Sequence, residues 1–226
     1  MNQRKRDAML GAPFDDLAHK YDTWFDAPEK RPIFETEVNC LHRLLPTAER
    51  PWLEIGVGTG RFAEALGFDH GVDPSITALQ LARPRGVSTC CGVAEALPYA
   101  TASCNLLLMV VTLCFLSDPV RAFDECARVL SPTGSLILGL VPADSPWGRL
   151  YIEKSKSGHP YYSIAKFYTC QQTTRMAEDA GFTMVAAASC LFDPPDVLVV
   201  DPTHVADGLI ADAGFVAMRF MRREAI

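Results

Sequence analysis

The sequence predicts an α/β domain in which a parallel sheet is covered by helices on both faces. Two observations support this prediction. Short apolar strands alternate with helix-like segments from residue 51 to residue 141, and a glycine loop at 56–60 follows the first strand directly. This alternation is typical of βα units, whose parallel strands are buried on both faces. A chain of 226 residues is long enough for one such domain.

The segment before the sheet is predicted to contain two helices. Aromatic residues such as Tyr21 mark the first, and the apolar residues from Ile33 to Leu45 have the spacing of a second, which Pro46 ends. Together they are expected to form a helical cap over 14–45. Residues 1–13 begin with basic side chains and lack the apolar core of a secretory signal, so we expect a flexible tail there.

Each later element is predicted from a local pattern. Pro119 begins a helix at a position where its missing N–H costs nothing. Thr169 and Gln172 have the spacing of a capping box, which opens a helix that ends at Gly181. The expected strands cover 51–56, a short segment ending at Asp73, 86–91, 104–111, 134–141, 183–190 and 215–221; the other expected helices cover 60–66, 75–82 and the segment from Pro119 to near Leu130.

Residues 142–168 interrupt this alternation. Prolines and glycines break the segment, yet it carries six aromatic residues with basic residues between them. A loop of this length is usually functional or disordered, and its aromatic content argues against disorder. We therefore expect a lid-like insertion at 142–168.

The glycine loop predicts the kind of ligand. Gly56, Gly58 and Gly60 lie between a strand and a helix, where a ligand can approach the backbone and meet the free N–H groups of the helix. The dinucleotide-binding pattern would need its third glycine where Arg61 stands. Glu54 at the strand end disfavours an anionic pyrophosphate, and it suits a ligand with a positive centre such as an amino group or a sulfonium.

The glycine loop and four further segments resemble motifs of the class I S-adenosylmethionine-dependent methyltransferases, in the branch that acts on small molecules. The resemblance extends from about Phe14 to the C-terminus. The family commonly has Asp where Val93 and Asn105 stand, so the chain departs from the pattern at those two positions. The four further segments are Gly71–Ser75, Gly92–Tyr99, Asn105–Val111 and Arg128–Leu136.

The resemblance implies a Rossmann-like three-layer sandwich in a single domain over 14–226, with a mostly parallel seven-stranded sheet whose last strand is antiparallel. It also implies methyl transfer from S-adenosylmethionine to a small-molecule acceptor by in-line displacement, which leaves S-adenosylhomocysteine. The departure at Val93 supports one alternative, a non-catalytic S-adenosylmethionine-binding regulator or partner protein. The residues implied to bind the cofactor are Tyr21, Glu54, Gly56, Gly58, Gly60, Asp73, Pro74, Ser75, Ala94, Glu95, Val111 and Thr112.

The acceptor is expected beneath the 142–168 insertion and the N-terminal helices. His159, Tyr161 and Tyr168 are the candidate catalytic residues, because an imidazole can take a proton near neutral pH and tyrosine rings can stack on a planar acceptor. The alternative is that these aromatic residues only close a lid. Arg149 and the nearby lysines favour an anionic acceptor, unless they form an ordinary solvated face.

Composition limits the possible partners. The formal charge of −6 argues against a nucleic-acid partner, and no apolar run is long enough for membrane insertion. The eight cysteines include no C-x-x-C pair and the five histidines lack ligand spacing, so we expect a reduced cytoplasmic protein without a bound metal. A monomer and a homodimer both remain compatible with the sequence.

Overall fold

The computed structural model describes residues 3–196 and 200–223. Helices and strands alternate along most of this part of the chain. The helices are α1 (Gln3–Trp24), α2 (Arg31–His42), α3 (Arg61–Leu66), α4 (Ile76–Ala82), α5 (Pro119–Val129), α6 (Pro146–Lys156) and α7 (Cys170–Asp179). The strands are β1 (Trp52–Ile55), β2 (His70–Asp73), β3 (Ser88–Cys91), β4 (Cys104–Val110), β5 (Leu130–Leu140), β6 (Phe182–Cys190), β7 (Val205–Asp207) and β8 (Phe215–Arg222).

All eight strands form one sheet in the order β3-β2-β1-β4-β5-β8-β6-β7. The five strands from β3 to β5 in this order pair in parallel, whereas β8 is antiparallel to both β5 and β6. This confirms the predicted Rossmann-like α/β class with an antiparallel last strand. The sheet has eight strands rather than seven, because β7 adds a three-residue edge to β6. None of its residues is buried, so β7 left no apolar signal in the sequence.

The sheet separates two apolar layers, and β4 contributes to both. Leu106, Leu108 and Val110 face one layer, while Leu107 and Met109 face the other. Successive side chains of a strand point to opposite faces, so a central strand with helices on both sides must be apolar throughout. This explains the continuous apolar run of β4.

The helix boundaries follow the capping signals in the sequence. The Asp118 side chain accepts a hydrogen bond from the backbone of Arg121 at the start of α5, with Pro119 in the first helical position. Thr169 and Gln172 form both bonds of the predicted capping box at the start of α7. Such caps satisfy N–H groups that have no partner within the helix, and each contributes about 1 kcal/mol.

Two segments near the cap differ from the predictions. α1 begins at Gln3, within the segment that was expected to be a flexible tail. The helix runs through Phe14, so no break in the structure marks the domain boundary that the sequence predicts there. The 142–168 insertion contains a regular helix, α6, and not only a loop. Ser145 caps this helix by accepting from the backbone of Gly148, and buried Trp147 anchors its first turn.

Candidate active site

A cleft with a cavity volume of about 130 Å³ lies at the carboxyl ends of β1, β2 and β4. β1 lies between β2 and β4 in the sheet, so the strand order reverses direction at this point. Open α/β sheets bind ligands outside the strand ends at such a reversal, because the loops on either side diverge and leave a crevice. We call this space the cofactor cleft.

The glycine loop forms the floor of the cofactor cleft. Gly56 has a φ of +73°, and a Cβ atom built there would overlap the Thr112 side chain. Gly58 has a φ of +50° and open space around it, so its lack of a side chain exposes the backbone to the cleft. Gly60 does not line the cleft; it precedes α3 and packs against Ala82.

Asp73 closes the far side of the loop. Its Oδ2 accepts from the Gly58 N–H at 2.9 Å, and its Oδ1 accepts from the Ser75 N–H at 2.8 Å. The side chain is buried, and this burial raises the pKa of Asp73 although the two backbone hydrogen bonds act in the opposite direction. The carboxylate thus fixes the loop while it faces the cleft.

Glu54 is the most deeply buried charged residue of the cleft, at 2% exposure. Burial raises its pKa well above the ordinary value, and a hydrogen bond from the backbone of Ala63 opposes this shift only in part. Its Oε2 atom has no hydrogen-bond partner among the described residues. A buried polar atom without a partner is costly, so the position of Glu54 fits a ligand that brings a donor or a positive charge.

The chain is strained where it leaves β4. Val111 has a φ of +50°, which is rare for a β-branched residue and costly unless the surroundings impose it. The next side chain, Thr112, donates to the Val110 carbonyl at 3.0 Å and lines the cleft opposite Gly56. Strain of this kind occurs at functional sites. It places Val111 and Thr112, both predicted site residues, on the cleft wall.

The loop after β3 forms another wall, with Val93, Ala94 and Glu95 lining the cleft beside Pro74. The Glu95 carboxylate is already engaged, because its Oε1 accepts from the backbone and hydroxyl of Ser117 at 2.9 Å each. Glu95 therefore ties two loops together at the cleft wall.

Helix α1 forms the roof of the cleft through Phe14, Ala18 and Tyr21, and Phe25 follows directly after the helix. An ion-pair network holds it in place. Asp22 accepts from Arg61 at 2.8 Å and from Arg85 at 3.0 Å, and these charged groups are only 16–17% exposed. Asp26 pairs with the same Arg61 at 2.7 Å. Arg61, which occupies the third glycine position of the dinucleotide pattern, thus connects α1 to the glycine loop.

A second cavity of about 310 Å³ adjoins the cofactor cleft. Tyr21, Phe25 and Val111 are among the residues that line both spaces. α1, α2, α6 and the segment after α6 surround this space, which we call the second cavity. It lies beneath the insertion and the N-terminal helices, where the sequence predicts the acceptor pocket, and its role stays a prediction.

Two of the three candidate catalytic residues line the second cavity. The His159 ring stacks on Tyr162 with centroids 4.3 Å apart, and its Nδ1 accepts from the backbone N–H groups of Tyr161 and Tyr162. Burial lowers the pKa of His159, and the charges of Lys154 and Lys20 lower it further. The Tyr161 hydroxyl donates to a carbonyl of α1 at 3.2 Å.

Three predicted site residues lie elsewhere. Tyr168 lines neither space; its backbone carbonyl accepts from Ala143, and its ring lies 5.3 Å from the Lys166 ammonium. Ser75 caps α4 and donates to Asp15 at 2.5 Å, so its hydroxyl has a structural role. The third is Gly60, described above. Arg149 also lies outside, bonded to the carbonyl of Asp144 at 2.5 Å.

The sequence analysis missed Glu37, a buried carboxylate on the wall of the second cavity. A signal was present. Ile33, Glu37 and Leu41 are spaced by four residues and therefore lie on the same face of α2. Ile33 and Leu41 are buried core residues, so an acid between them had to be buried as well.

Cys114 also lines the second cavity, where burial raises the pKa of its thiol to about 12. A neutral thiol is a poor nucleophile.

Within the described residues, no cluster of three or more His, Cys, Asp or Glu side chains could hold a metal ion. In the same part of the chain, no helix combines the length and the apolarity that crossing a membrane requires.

Comparison with known proteins agrees with this architecture. Residues 53–138 match the family model of a methyltransferase domain. An uncharacterised protein of Mycobacterium tuberculosis is 43% identical over 201 residues, which cover 89% of this chain and 70% of that protein. An uncharacterised methyltransferase of the same species is 37% identical over 134 residues, which cover 56% of this chain and 53% of the relative.

A solved structure covers nearly the whole chain. It is a Thermotoga maritima protein described as an S-adenosylmethionine-dependent methyltransferase, possible histamine N-methyltransferase. It superimposes with a TM-score of 0.86 at 33% identity, over 95% of this chain and all of the other. The chain therefore belongs to the class I S-adenosylmethionine-dependent methyltransferases.

Proposed function

We propose that this protein transfers the methyl group of S-adenosylmethionine to a small molecule bound in the second cavity. The single observation that carries the proposal is the pair of buried carboxylates, Glu54 and Asp73, on either side of an exposed glycine backbone. S-adenosylmethionine carries an amino group and a ribose diol, which are donors that match two carboxylates. Its sulfonium supplies an activated methyl group.

Each residue of the cofactor cleft has a role in this proposal. Glu54 accepts from the amino group of the methionine end, and Asp73 accepts from the ribose hydroxyls. Ala94 and Glu95 flank the adenine through their backbone, since the Glu95 carboxylate bonds to Ser117. Gly58 has open space where a side chain would stand, which leaves room for the methionine end of the ligand.

The second cavity supports the acceptor side of the proposal. Because Tyr21 and Val111 line both spaces, a molecule in the second cavity lies next to the cofactor cleft. Methyl transfer needs alignment of the nucleophile behind the methyl group and exclusion of water more than it needs a strong base. The aromatic walls of α1 and of the segment after α6 supply both.

Titration calorimetry with S-adenosylhomocysteine tests the cofactor assignment. Wild type should bind it, and Asp73→Asn should bind at least about tenfold more weakly because a charge-assisted hydrogen bond is lost. Asp124→Asn, an exposed acid on α5, is the matched control and should bind like wild type. Failure of wild type to bind, or unchanged binding in Asp73→Asn, would refute the assignment.

Turnover separates an enzyme from a protein that only binds the cofactor. Wild type is incubated with S-adenosylmethionine and a metabolite extract, and S-adenosylhomocysteine is quantified. We expect product above the level formed by Asp73→Asn. Equal levels in the two proteins, together with tight binding by wild type, would support a non-catalytic role.

A further inference from the structure

Glu37 presents a carboxyl group to the second cavity without a partner among the residues that the structure describes. The side chain is 9% exposed and lines the cavity wall. Among the described residues, no side chain or backbone group donates a hydrogen bond to it, and no cation lies within ion-pair distance. An unpaired buried charge is very costly, so the carboxyl group stays mostly protonated near neutral pH until a countercharge is present. The missing partner is the observation that needs an explanation.

The cations that line the second cavity are concentrated away from Glu37. Lys20 and Lys154 are exposed, and their charges act on His159. Lys30 also lines the cavity but forms no ion pair with Glu37. Burial is the only cause that shifts the pKa of Glu37, to about 8. Lys20 and Lys154 therefore act on His159, whereas no cation among the described residues shifts the pKa of Glu37.

The groups near Glu37 are rings and neutral thiols. Tyr21, Tyr151 and Tyr162 line the same space, and burial raises the pKa of each phenol, Tyr162 to about 12. Hydrogen bonding with Cys40 and burial likewise raise the pKa of Cys190, a thiol that also senses the charge of Glu37. None of these groups ionises near neutral pH. Glu37 is thus the group on its side of the cavity that can change charge.

A carboxylate surrounded by aromatic faces is suited to an ammonium group. The carboxylate supplies the countercharge, and the faces of tyrosine and tryptophan attract a cation through their quadrupoles. Trp24 lines the cavity as well, so aromatic faces come from both α1 and α6. A phenol or a carboxylic acid would gain neither interaction.

We propose that the second cavity binds a small amine and that Glu37 is its countercharge and the acceptor of its proton. This rests on the proposed methyl transfer. The ammonium group gives one proton to the Glu37 carboxylate. The lone pair of the resulting amine forms a bond to the methyl carbon, the carbon–sulfur bond breaks, and its electron pair stays on sulfur. The methylated ammonium leaves, and Glu37 returns its proton to water.

The first experiment counts protons. Phenethylamine is titrated into protein saturated with S-adenosylhomocysteine, near neutral pH, in buffers of different ionisation enthalpy. A carboxyl group with a pKa of about 8 is mostly protonated before binding, so forming the ion pair should release about one proton per amine. Glu37→Gln should release none and bind at least about tenfold more weakly.

Two further variants keep the result interpretable. Glu37→Asp retains the charge and should restore part of the proton release, even if Glu37→Gln folds poorly. Glu35→Gln, on the same helix but outside the cavity and paired with Arg31, should behave as wild type. Unchanged proton release and affinity in Glu37→Gln would overturn the proposal.

The second experiment compares ligands of one skeleton. Phenethylamine, phenethyl alcohol and hydrocinnamate are tested for binding and for methyl acceptance. We expect the amine to bind and to be preferred by tenfold or more. Failure of the amine to bind, or stronger binding of the alcohol or the acid, would overturn the proposal.

The design separates this proposal from the proposed function. Binding of S-adenosylhomocysteine is measured first and depends on Asp73 and Glu54, not on Glu37. Loss of that binding would contradict the cofactor assignment, whereas the amine titrated without cofactor still reports on the second cavity. Normal cofactor binding with no binding of amine contradicts only the inference about Glu37.

Discussion

The cofactor cleft and the second cavity both contain buried carboxylates, but the protein treats them differently. Asp73 accepts two backbone N–H groups within the cleft, and Glu54 accepts one, leaving a single oxygen without a partner. Glu37 in the second cavity has no partner among the described residues. The cleft is built from loops at the ends of neighbouring strands, and the cavity is built from side chains on separate helices.

The two sites differ in how the free-energy cost of burying a carboxylate is offset. In the cleft, backbone donors offset part of the cost before any ligand arrives, although burial still raises the pKa of both Asp73 and Glu54. In the second cavity no donor among the described residues offsets the cost, so Glu37 stays mostly protonated near neutral pH and ionises when a cation binds. Both sites are therefore expected to respond to pH, but in the cavity no donor among the described residues moderates the response of Glu37.

The largest expected effect is on stability. Glu37 has an ordinary pKa of 4.5 when unfolded and about 8 when folded. Between these values the folded state binds more protons than the unfolded state, so wild type loses stability as the pH rises. Glu37→Gln removes this titration. It should exceed wild type by on the order of 4 kcal/mol above about pH 9 and match it below about pH 5, in urea denaturation.

Glu35→Gln provides the reference for this measurement, since its pair with Arg31 is exposed and contributes little. Its difference from wild type should stay within about 0.5 kcal/mol at every pH. A flat difference between wild type and Glu37→Gln would show that Glu37 is solvated, and the contrast between the two sites would fail.

The next effect tests the backbone of the cleft. Gly56→Ala would place a Cβ against Thr112 at a φ of +73°, so we expect a loss of about 2–3 kcal/mol in stability. Affinity for S-adenosylhomocysteine should fall at least about tenfold because the loop must move. Gly86→Ala has a similar φ of +82° but open space and lies outside the cleft. Gly86→Ala should lose about 1 kcal/mol of stability and bind S-adenosylhomocysteine like wild type.

Glu54→Gln sharpens the comparison between the buried acids. The variant keeps the shape but removes the charge that faces the cleft, so affinity for S-adenosylhomocysteine should fall about tenfold to a hundredfold. Amine binding in the second cavity should be unchanged. Glu49→Gln, an exposed acid before β1, is the control. If Glu54→Gln bound the cofactor normally, the unpartnered oxygen would have no role in recognition.

The smallest effect concerns the roof shared by both sites. Asp22→Asn weakens the pairs with Arg61 and Arg85, which are partly buried, and should cost about 1 kcal/mol. Dissociation of S-adenosylhomocysteine, followed by stopped-flow fluorescence, should become several-fold faster and lose its salt dependence. Glu153→Gln removes an exposed pair with Lys156 and should change neither. An unchanged dissociation rate in Asp22→Asn would show that the ion pairs of α1 do not control release of the ligand from the cleft.

The sequence predicted the cleft far better than the second cavity, for a physical reason. Carboxyl ends of neighbouring parallel strands meet at one edge of a sheet, so Glu54, Asp73 and Thr112 could be brought together from strand order alone. Which faces of α1, α2 and α6 meet depends on packing between segments far apart in the chain. Glu37 was missed for that reason, although its position on an apolar stripe could have revealed it.

Tyr168 and β7 show the same limit. Tyr168 was grouped with Tyr161 because both are tyrosines of one insertion, but a helical turn at Tyr162–Ile164 lies between them, and the two residues line different spaces. β7 has three residues and pairs only at the sheet edge. In both cases the position is set by backbone hydrogen bonds to residues far away in the chain, Ala143 for Tyr168 and β6 for β7. The residue types of the segment do not predict such bonds.

Helix α1 covers two chemically different spaces with one rigid element. The donor and the acceptor are thus governed by the same motion, and we expect their entry and exit to follow a fixed order in steady-state kinetics. The spent donor can leave only after the roof lifts. The rate at which α1 opens would then be the upper limit of kcat, and a faster chemical step would not increase kcat beyond it.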